Sequence, residues 1–399
     1  MAEFLRRKLK NGMIAIMEKR ELPVVVVSIT NRFGAAFEES KIKGIAHFIE
    51  HLVFTGTKTR THEDISREIE KKGGILNAFT ANEVTSFWFK LPSEHLFAGL
   101  GILADLLKNP KFDLKKFEKE KKVILEEIKM YHDDPSRHVI DKISENLYEK
   151  PFGESIAGSE KTVSALKRDF VFDFFEKHYS PENYLATIVG DADFDKVCEY
   201  LEENFKGEGK RLDEIEIKKK NAESVEERAG IDQAHFVFAV HAPLVSEKEY
   251  YALEVLDAHL ANGMSSRLFL KIREEKGLAY SVQSSVNAEK NYSYYSIYVG
   301  TTKEAVPEVK KIILEEFANI SKMGDKELNE AKERVIGLRK ISSEESAKVM
   351  TELLFAELAG DAKEYYEHEK KIKAVTLEQV KRLAFGLIKK YSTAAIVPK

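Results

Sequence analysis

The chain has 399 residues, 43% of them hydrophobic, which is enough to fill more than one core. Its 63 lysines and arginines nearly balance 67 acidic residues, and the net charge of -4 excludes the positive field that draws nucleic acid or an anionic membrane. Cys198 is the only cysteine, so an internal disulfide and a thiolate metal cluster are excluded and any metal must rely on imidazole and carboxylate.

The opening residues turn charged within a few positions and show no signal-peptide pattern. No later run is apolar for the length of a membrane span, so the expected location is the cytoplasm. Strand-like segments come first, at 4–9, 13–18 and 24–33, the last rich in β-branched residues. A short helix over 44–54 is apolar on nearly every side through Ile45, Phe48, Ile49, Leu52 and Val53, which places it inside a core. Thr61 and Asp64 have the spacing of a capping box, opening a helix that closes at Gly73 and Gly74. A single strand is predicted over 76–92, then helices over 93–108, 113–131 and 136–149. A helix at 162–177, a strand at 185–190 and a helix at 193–205 complete the first part.

Residues 206–230 are almost entirely polar and aperiodic, and read as a linker. The remainder repeats the earlier order: strand 235–241, helix 247–260, strands around 282–286 and 292–301, and helices beginning at Glu304, Asp325 and Thr376. KELNEAKERVIGLRK, from Lys326, matches the apolar spacing of LKKFEKEKKVILEEIKM, from Leu114. The expected fold is α+β in two structurally similar halves, each a mostly antiparallel sheet packed with helices. The expected domains are 1–205 and 231–399, joined by the linker.

The buried helix carries HFIEH, His47 to His51. Residues three and four apart share a helix face, so His47, Glu50 and His51 project together. Two imidazoles so spaced can hold one zinc ion with a free carboxylate beside its open position, the inverted order of the familiar zinc-protease helix. Burying such a trio is costly unless something satisfies it. The helix over 113–131 offers a third ligand. Its apolar stripe of Phe117, Ile124, Ile128 and Tyr131 includes Glu120 and Glu127, whereas Glu126 lies among lysines on the charged side. Glu127 is the expected ligand, with Glu120 placed to accept a hydrogen bond from a ligating imidazole.

With these residues in place the chain resembles the pitrilysin-type inverzincins, which include the mitochondrial processing peptidases and insulin-degrading enzymes. Glu127 follows His51 by 76 residues, the separation that family keeps, and Glu120 stands seven positions earlier, as its second acidic residue does. GGILNAFTANEVTSFWF is similar to the family's substrate strand, which implies that Asn77, Ala78 and Phe79 bind peptide by strand addition. SSRLFLKIREEKGLAYSV resembles the family's Arg and Tyr pair, here Arg273 and Tyr280, implying substrate binding and oxyanion stabilisation; Arg267 does not have the required spacing. The second half lacks HxxEH and keeps only His259 near the corresponding helix, so it is expected to be metal-free and to contribute Arg273 and Tyr280.

The resemblance implies a zinc-dependent endopeptidase with one Zn2+ per chain, held by His47, His51 and Glu127. Glu50 would act as general base on a zinc-bound water. Peptides or unfolded polypeptides would be the substrates, and a homodimer the assembly. The alternative is a catalytically silent structural or partner subunit, of the kind that has usually lost a ligand or the base.

Overall fold

A computed structural model of the chain describes residues 3–207, 209 and 212–399. In chain order the first elements are β1 (Glu3–Lys8), β2 (Ile14–Lys19), β3 (Val24–Asn31), α1 (Ile45–Val53) and α2 (His62–Glu70). They are followed by β4 (Ile75–Thr80), β5 (Thr85–Pro92), α3 (Leu96–Lys108), α4 (Leu114–Asp133) and α5 (Pro135–Leu147). Next come α6 (Glu160–Ala165), α7 (Arg168–His178), β6 (Tyr184–Gly190), α8 (Phe194–Asn204), β7 (Glu223–Arg228) and β8 (Ala234–His241). The chain continues through α9 (Glu249–Leu260), a π-helical turn (Phe269–Glu275), β9 (Ala279–Ala288), β10 (Ser293–Thr301) and α10 (Val306–Asn319). It ends with α11 (Asp325–Ser342), α12 (Ser346–Ala359), α13 (Glu364–Ala374), α14 (Leu377–Leu387) and β11 (Ser392–Pro398). No helix among the described residues is long and apolar enough to cross a membrane.

The strands form two sheets, one of order β1-β2-β6-β3-β5-β4 and one of order β7-β11-β8-β10-β9. Beyond the extra β1 the two have the same plan. In the first, β2 pairs parallel with β6 and every other ladder is antiparallel; in the second, β7 pairs parallel with β11 and every other ladder is antiparallel. The two halves are therefore structurally similar α+β units, as the repeated element order predicts.

Two compact units contain these sheets, but neither is the contiguous segment the sequence led us to expect. The first comprises Met1–Lys129, Glu154–Glu216 and Ser343–Leu354; the second comprises Met130–Gly153, Ile217–Ser342 and Phe355–Lys399. Distant hydrogen bonds cause the interleaving. Asn146 of α5 donates to Thr393 O at 2.9 Å and Ser224 Oγ at 2.7 Å, and Tyr148 OH donates to Ser293 O at 3.2 Å. In the first unit Arg20 donates to Ser343 O at 2.9 Å and to Ser346 Oγ at 3.3 Å.

Two local expectations also need correction. Residues 76–92 form not one strand but the β4–β5 hairpin, closed by a bond from Ala81 N to Val84 O at 2.8 Å. The turn lacks a glycine or proline that would mark it in the sequence. Within the expected linker, Glu223–Arg228 is an edge strand. Its ladder partner β11 is at the far end of the chain and its side chains are mostly polar, so no local hydrophobic alternation announces it.

The core of the first unit packs Val27 and Ile29 of β3 and Phe87 and Phe89 of β5 against Phe48 and Leu52 of α1, Leu103 of α3 and Phe117 of α4. Phe238, Leu253, Leu256, Ile297 and Ile313 lie in the core of the second.

Candidate metal centre

Helix α1 is inserted into the first unit with Ile45, Phe48, Ile49, Leu52 and Val53 all inaccessible to solvent. Its first turn starts at Gly44, whose φ of 97° is the left-handed conformation glycine tolerates, and a Cβ there would approach Ala157 O to 2.6 Å. A helix start buried this way leaves amide donors without water. Glu38 accepts from Gly44 N at 3.0 Å and Ala46 N at 2.7 Å, while Lys43 Nζ lies 3.7 Å from Glu38 and donates to Ala35 O at 2.6 Å. Burial pushes the Glu38 carboxyl up to about 7, against the opposing pull of Lys43 and the two amides. The sequence reading missed this pair; the available signal was an acid and a base just ahead of an otherwise apolar helix.

The 3.6-residue period turns His47, Glu50 and His51 toward α4, where Phe117 packs on Phe48 with ring centroids 4.8 Å apart. Glu120 and Glu127, one heptad apart on α4, face the histidines. Glu127 Oε2 lies 3.8 Å from His47 Nε2 and 3.5 Å from His51 Nε2, and Glu120 Oε2 lies 3.5 Å from His51 Nδ1. One ligand atom each from His47, His51 and Glu127 falls within 4.8 Å of the others.

These residues fit zinc. Bonds of about 2.0–2.2 Å to nitrogen and oxygen put tetrahedral ligand atoms about 3.4 Å apart, close to the observed 3.5 and 3.8 Å. Those separations are long for direct hydrogen bonds. His47 Nδ1, the ring nitrogen other than the one near Glu127, is buried with no hydrogen-bond partner. Burial, reinforced by the neighbouring His51, lowers the His47 pKa to about 4 although Glu127 opposes it, leaving a neutral imidazole suited to ligation. For His51, burial is outweighed by the nearby Glu120 carboxylate and the charges of Glu127 and Glu50, and its pKa is raised.

Glu50 is mostly buried beside this cluster. Burial raises its pKa, partly offset by a hydrogen bond from Thr80. The sequence reading named the strand but passed over Thr80; the alternation that turns Leu76 and Ala78 inward also turns Thr80 toward α1. A cleft of about 360 Å³ opens here, lined by Glu50, His51, His62, Asn77, Lys116 and Glu120. The adjoining cleft, about 420 Å³, is more apolar, with Phe54, Ile65, Ile69 and Ile75 in its wall.

Asn77, Ala78 and Phe79 lie on β4, the edge strand of its sheet. The Ala78 N–H is taken by Asn77 Oδ1 at 2.8 Å. Arg273 and Tyr280 lie in the second unit, on the π-helical turn and on β9. They come together there: the Arg273 guanidinium is 5.2 Å from the Tyr280 ring centre, and Tyr280 is 79% exposed. Arg267 is instead held by Glu316 at 2.8 Å.

Comparison with known proteins gives the lineage. Residues 13–160 match the family model described as insulinase, peptidase family M16, and residues 165–335 match the one described as the peptidase M16 inactive domain. A Bacillus subtilis protein named uncharacterized zinc protease YmxG is 32% identical over 397 residues, covering 98% of this chain and 97% of its own. A Mycobacterium leprae protein named uncharacterized zinc protease ML0855 is 32% identical over 415 residues, covering 98% and 91%. Among solved structures, a protease from Helicobacter pylori superposes with a TM-score of 0.93 at 20% identity, covering 100% of both chains. A Pseudomonas fluorescens structure titled as a peptidase M16 inactive domain gives 0.90 at 18% identity, covering 100% of this chain and 98% of that one. These last likenesses are of fold, whereas the bacterial sequences match at the level of residues along nearly the whole chain. The chain belongs to peptidase family M16, the pitrilysin-type inverzincins that its HFIEH helix and distant Glu127 resemble.

Proposed function

We propose that the chain is a zinc-dependent endopeptidase that hydrolyses peptides or unfolded polypeptides. The observation that carries this reading is the convergence of His47, His51 and Glu127 with a second, non-ligating carboxylate, Glu50, beside them. A zinc ion held by the three ligands supplies Lewis acidity, which acidifies water and polarises a carbonyl. Glu50 takes the proton of the attacking water and returns it to the leaving nitrogen; its raised pKa makes it a better base than an exposed carboxylate. Thr80 holds the Glu50 carboxylate in one orientation, and Glu120 does the same for the His51 ring.

Substrate backbone pairs with the open edge of β4. In this reading the Asn77 side chain gives up the Ala78 N–H to an incoming carbonyl, with Phe79 extending the same edge. Strand addition requires an extended segment, which favours flexible chains over folded domains. The family resemblance assigns Arg273 and Tyr280 to the substrate carbonyl and its oxyanion, and the packing of the half-buried Arg273 on the exposed Tyr280 ring supports that role. It also implies a homodimer, which sedimentation of the purified protein checks.

A silent structural subunit is the less favoured reading, since all three ligands and the base are present. The deciding experiment is digestion of an unfolded test chain by the purified protein, with and without chelator, with metal content measured alongside. Chelator-sensitive cleavage at one zinc per catalytic centre is expected; a zinc-loaded protein that cleaves nothing would reject the enzyme.

A further inference from the structure

The second unit contains another cluster of metal-binding side chains, outside the HFIEH centre. His132 is in the last turn of α4, His138 is in the first turns of α5, and Glu226 is on the edge strand β7. One ligand atom from each falls within 4.8 Å of the others. The two imidazole rings are 4.6 Å apart between centroids, and His138 Nε2 is 3.3 Å from Glu226 Oε2.

Neighbouring groups already place these ligands. Arg228, two residues along β7, donates to Glu226 Oε1 at 2.6 and 3.1 Å, which leaves Oε2 turned to His138. The same guanidinium donates to the carbonyl of His132 at 2.5 Å, drawing the end of α4 to the strand. His132 Nδ1 lies 3.6 Å from the exposed Asp133 carboxylate. Asp134 caps α5 through Ser136 N at 2.9 Å and Arg137 N at 3.4 Å, which sets the corner between the helices. Arg228 and Lys142 are the positive charges near His138, and Asp133 and Asp134 flank the corner with opposite sign.

We propose that His132, His138 and Glu226 form a second divalent-cation site, selective for zinc-class ions over magnesium or calcium because two of its three donors are imidazoles. Its ligands come from three elements. Bound metal therefore reinforces the tie between the α4–α5 corner and β7, an edge strand whose one strand neighbour is β11 and which Arg228 and Ser224 already bond to α4 and α5. With His132 58% exposed and His138 13%, the ion exchanges with solvent and acts as a removable clasp.

Metal stoichiometry tests this independently of the HFIEH centre. Apo protein is equilibrated with zinc, desalted, and its zinc per chain measured for the wild type, His132→Ala, His47→Ala and the double variant. His132→Ala, at an exposed position, is expected to carry one ion fewer than wild type with peptidase activity unchanged. In the His47→Ala background, zinc is expected to raise the melting temperature, and the added His132→Ala change to abolish that rise. Equal zinc content in wild type and His132→Ala, with no melting shift lost, overturns the second site. Whether His47→Ala itself loses an ion bears only on the HFIEH centre, so the two failures are distinguishable.

Discussion

Thr80 Oγ1 donates to Glu50 Oε2 at 2.5 Å, joining the inward face of the β4 edge strand to the carboxylate beside the proposed metal ligands. The bond crosses from sheet to helix and fixes a carboxylate that holds no ligand position of its own. Replacing Glu50 by Gln is expected to leave zinc content unchanged and to lower kcat by about 10²–10⁴-fold, the range of general-base catalysis. Thr80→Val should cost about 10- to 100-fold at unchanged zinc content, and Thr80→Ser should restore most of it. A Thr80→Val enzyme with wild-type kcat would leave the hydroxyl without a positioning role.

Metal affinity separates the ligands from their support. His47→Ala and Glu127→Ala are expected to emerge from equilibrium dialysis without zinc at this centre. Glu120→Gln should still bind, about 10- to 100-fold more weakly, because its carboxylate lies behind the His51 ring. Full occupancy in Glu127→Ala would show that the third ligand lies elsewhere.

Glu38 and Lys43 stabilise the start of α1 as a buried pair. Glu38→Gln leaves the Lys43 charge without its partner and is expected to cost about 3–5 kcal/mol in denaturant unfolding. Adding Lys43→Met should recover part of that loss, since removing both charges also removes the desolvation penalty. Additive losses in the double variant would deny the coupling.

Asp105 gives the pH dependence a defined sign. Burial raises its pKa, but hydrogen bonds from Thr57, Asn109, Thr59 and Arg60 outweigh this and hold the carboxyl below the ordinary range. A depressed folded-state pKa contributes stability above the unfolded value of about 3.9, lost as pH falls through the folded value. Asp105→Asn should therefore be less stable than wild type by about 1–3 kcal/mol at pH 7, with the gap narrowing below about pH 4. Urea melts at the two pH values check it; a gap that widens in acid contradicts the assignment.

Tyr280 keeps its ring against Arg273 if only the hydroxyl is removed. Tyr280→Phe is expected to lower kcat by about 10²-fold, the cost of one oxyanion donor, without changing zinc content. An unchanged turnover would remove the hydroxyl from the chemistry.

How much of this was legible beforehand follows from the range of each interaction. His47, Glu50 and His51 are set by one helical period, and Glu127 by the stripe of its own helix, so their shared faces were readable in the sequence. The Thr61 capping box was readable for the same reason, and it forms with both reciprocal bonds. Thr80 and the cluster at His132 were not, because each takes its meaning from a partner on another element; Glu38, whose partners lie within eight residues, left a local signal in the acid and base ahead of an apolar helix.

By itself the sequence determined the α+β class, the repeated order of elements and the shared face of His47, Glu50 and His51, all consequences of local periodicity and spacing. Tertiary structure alone decided that α5 joins the second unit, that β7 is a strand, and that Thr80 meets Glu50. The reason is physical: a backbone period constrains only the residues within a few turns, whereas a ladder such as β7–β11 or a bond such as Asn146 to Thr393 is formed only when the folded chain brings distant segments together.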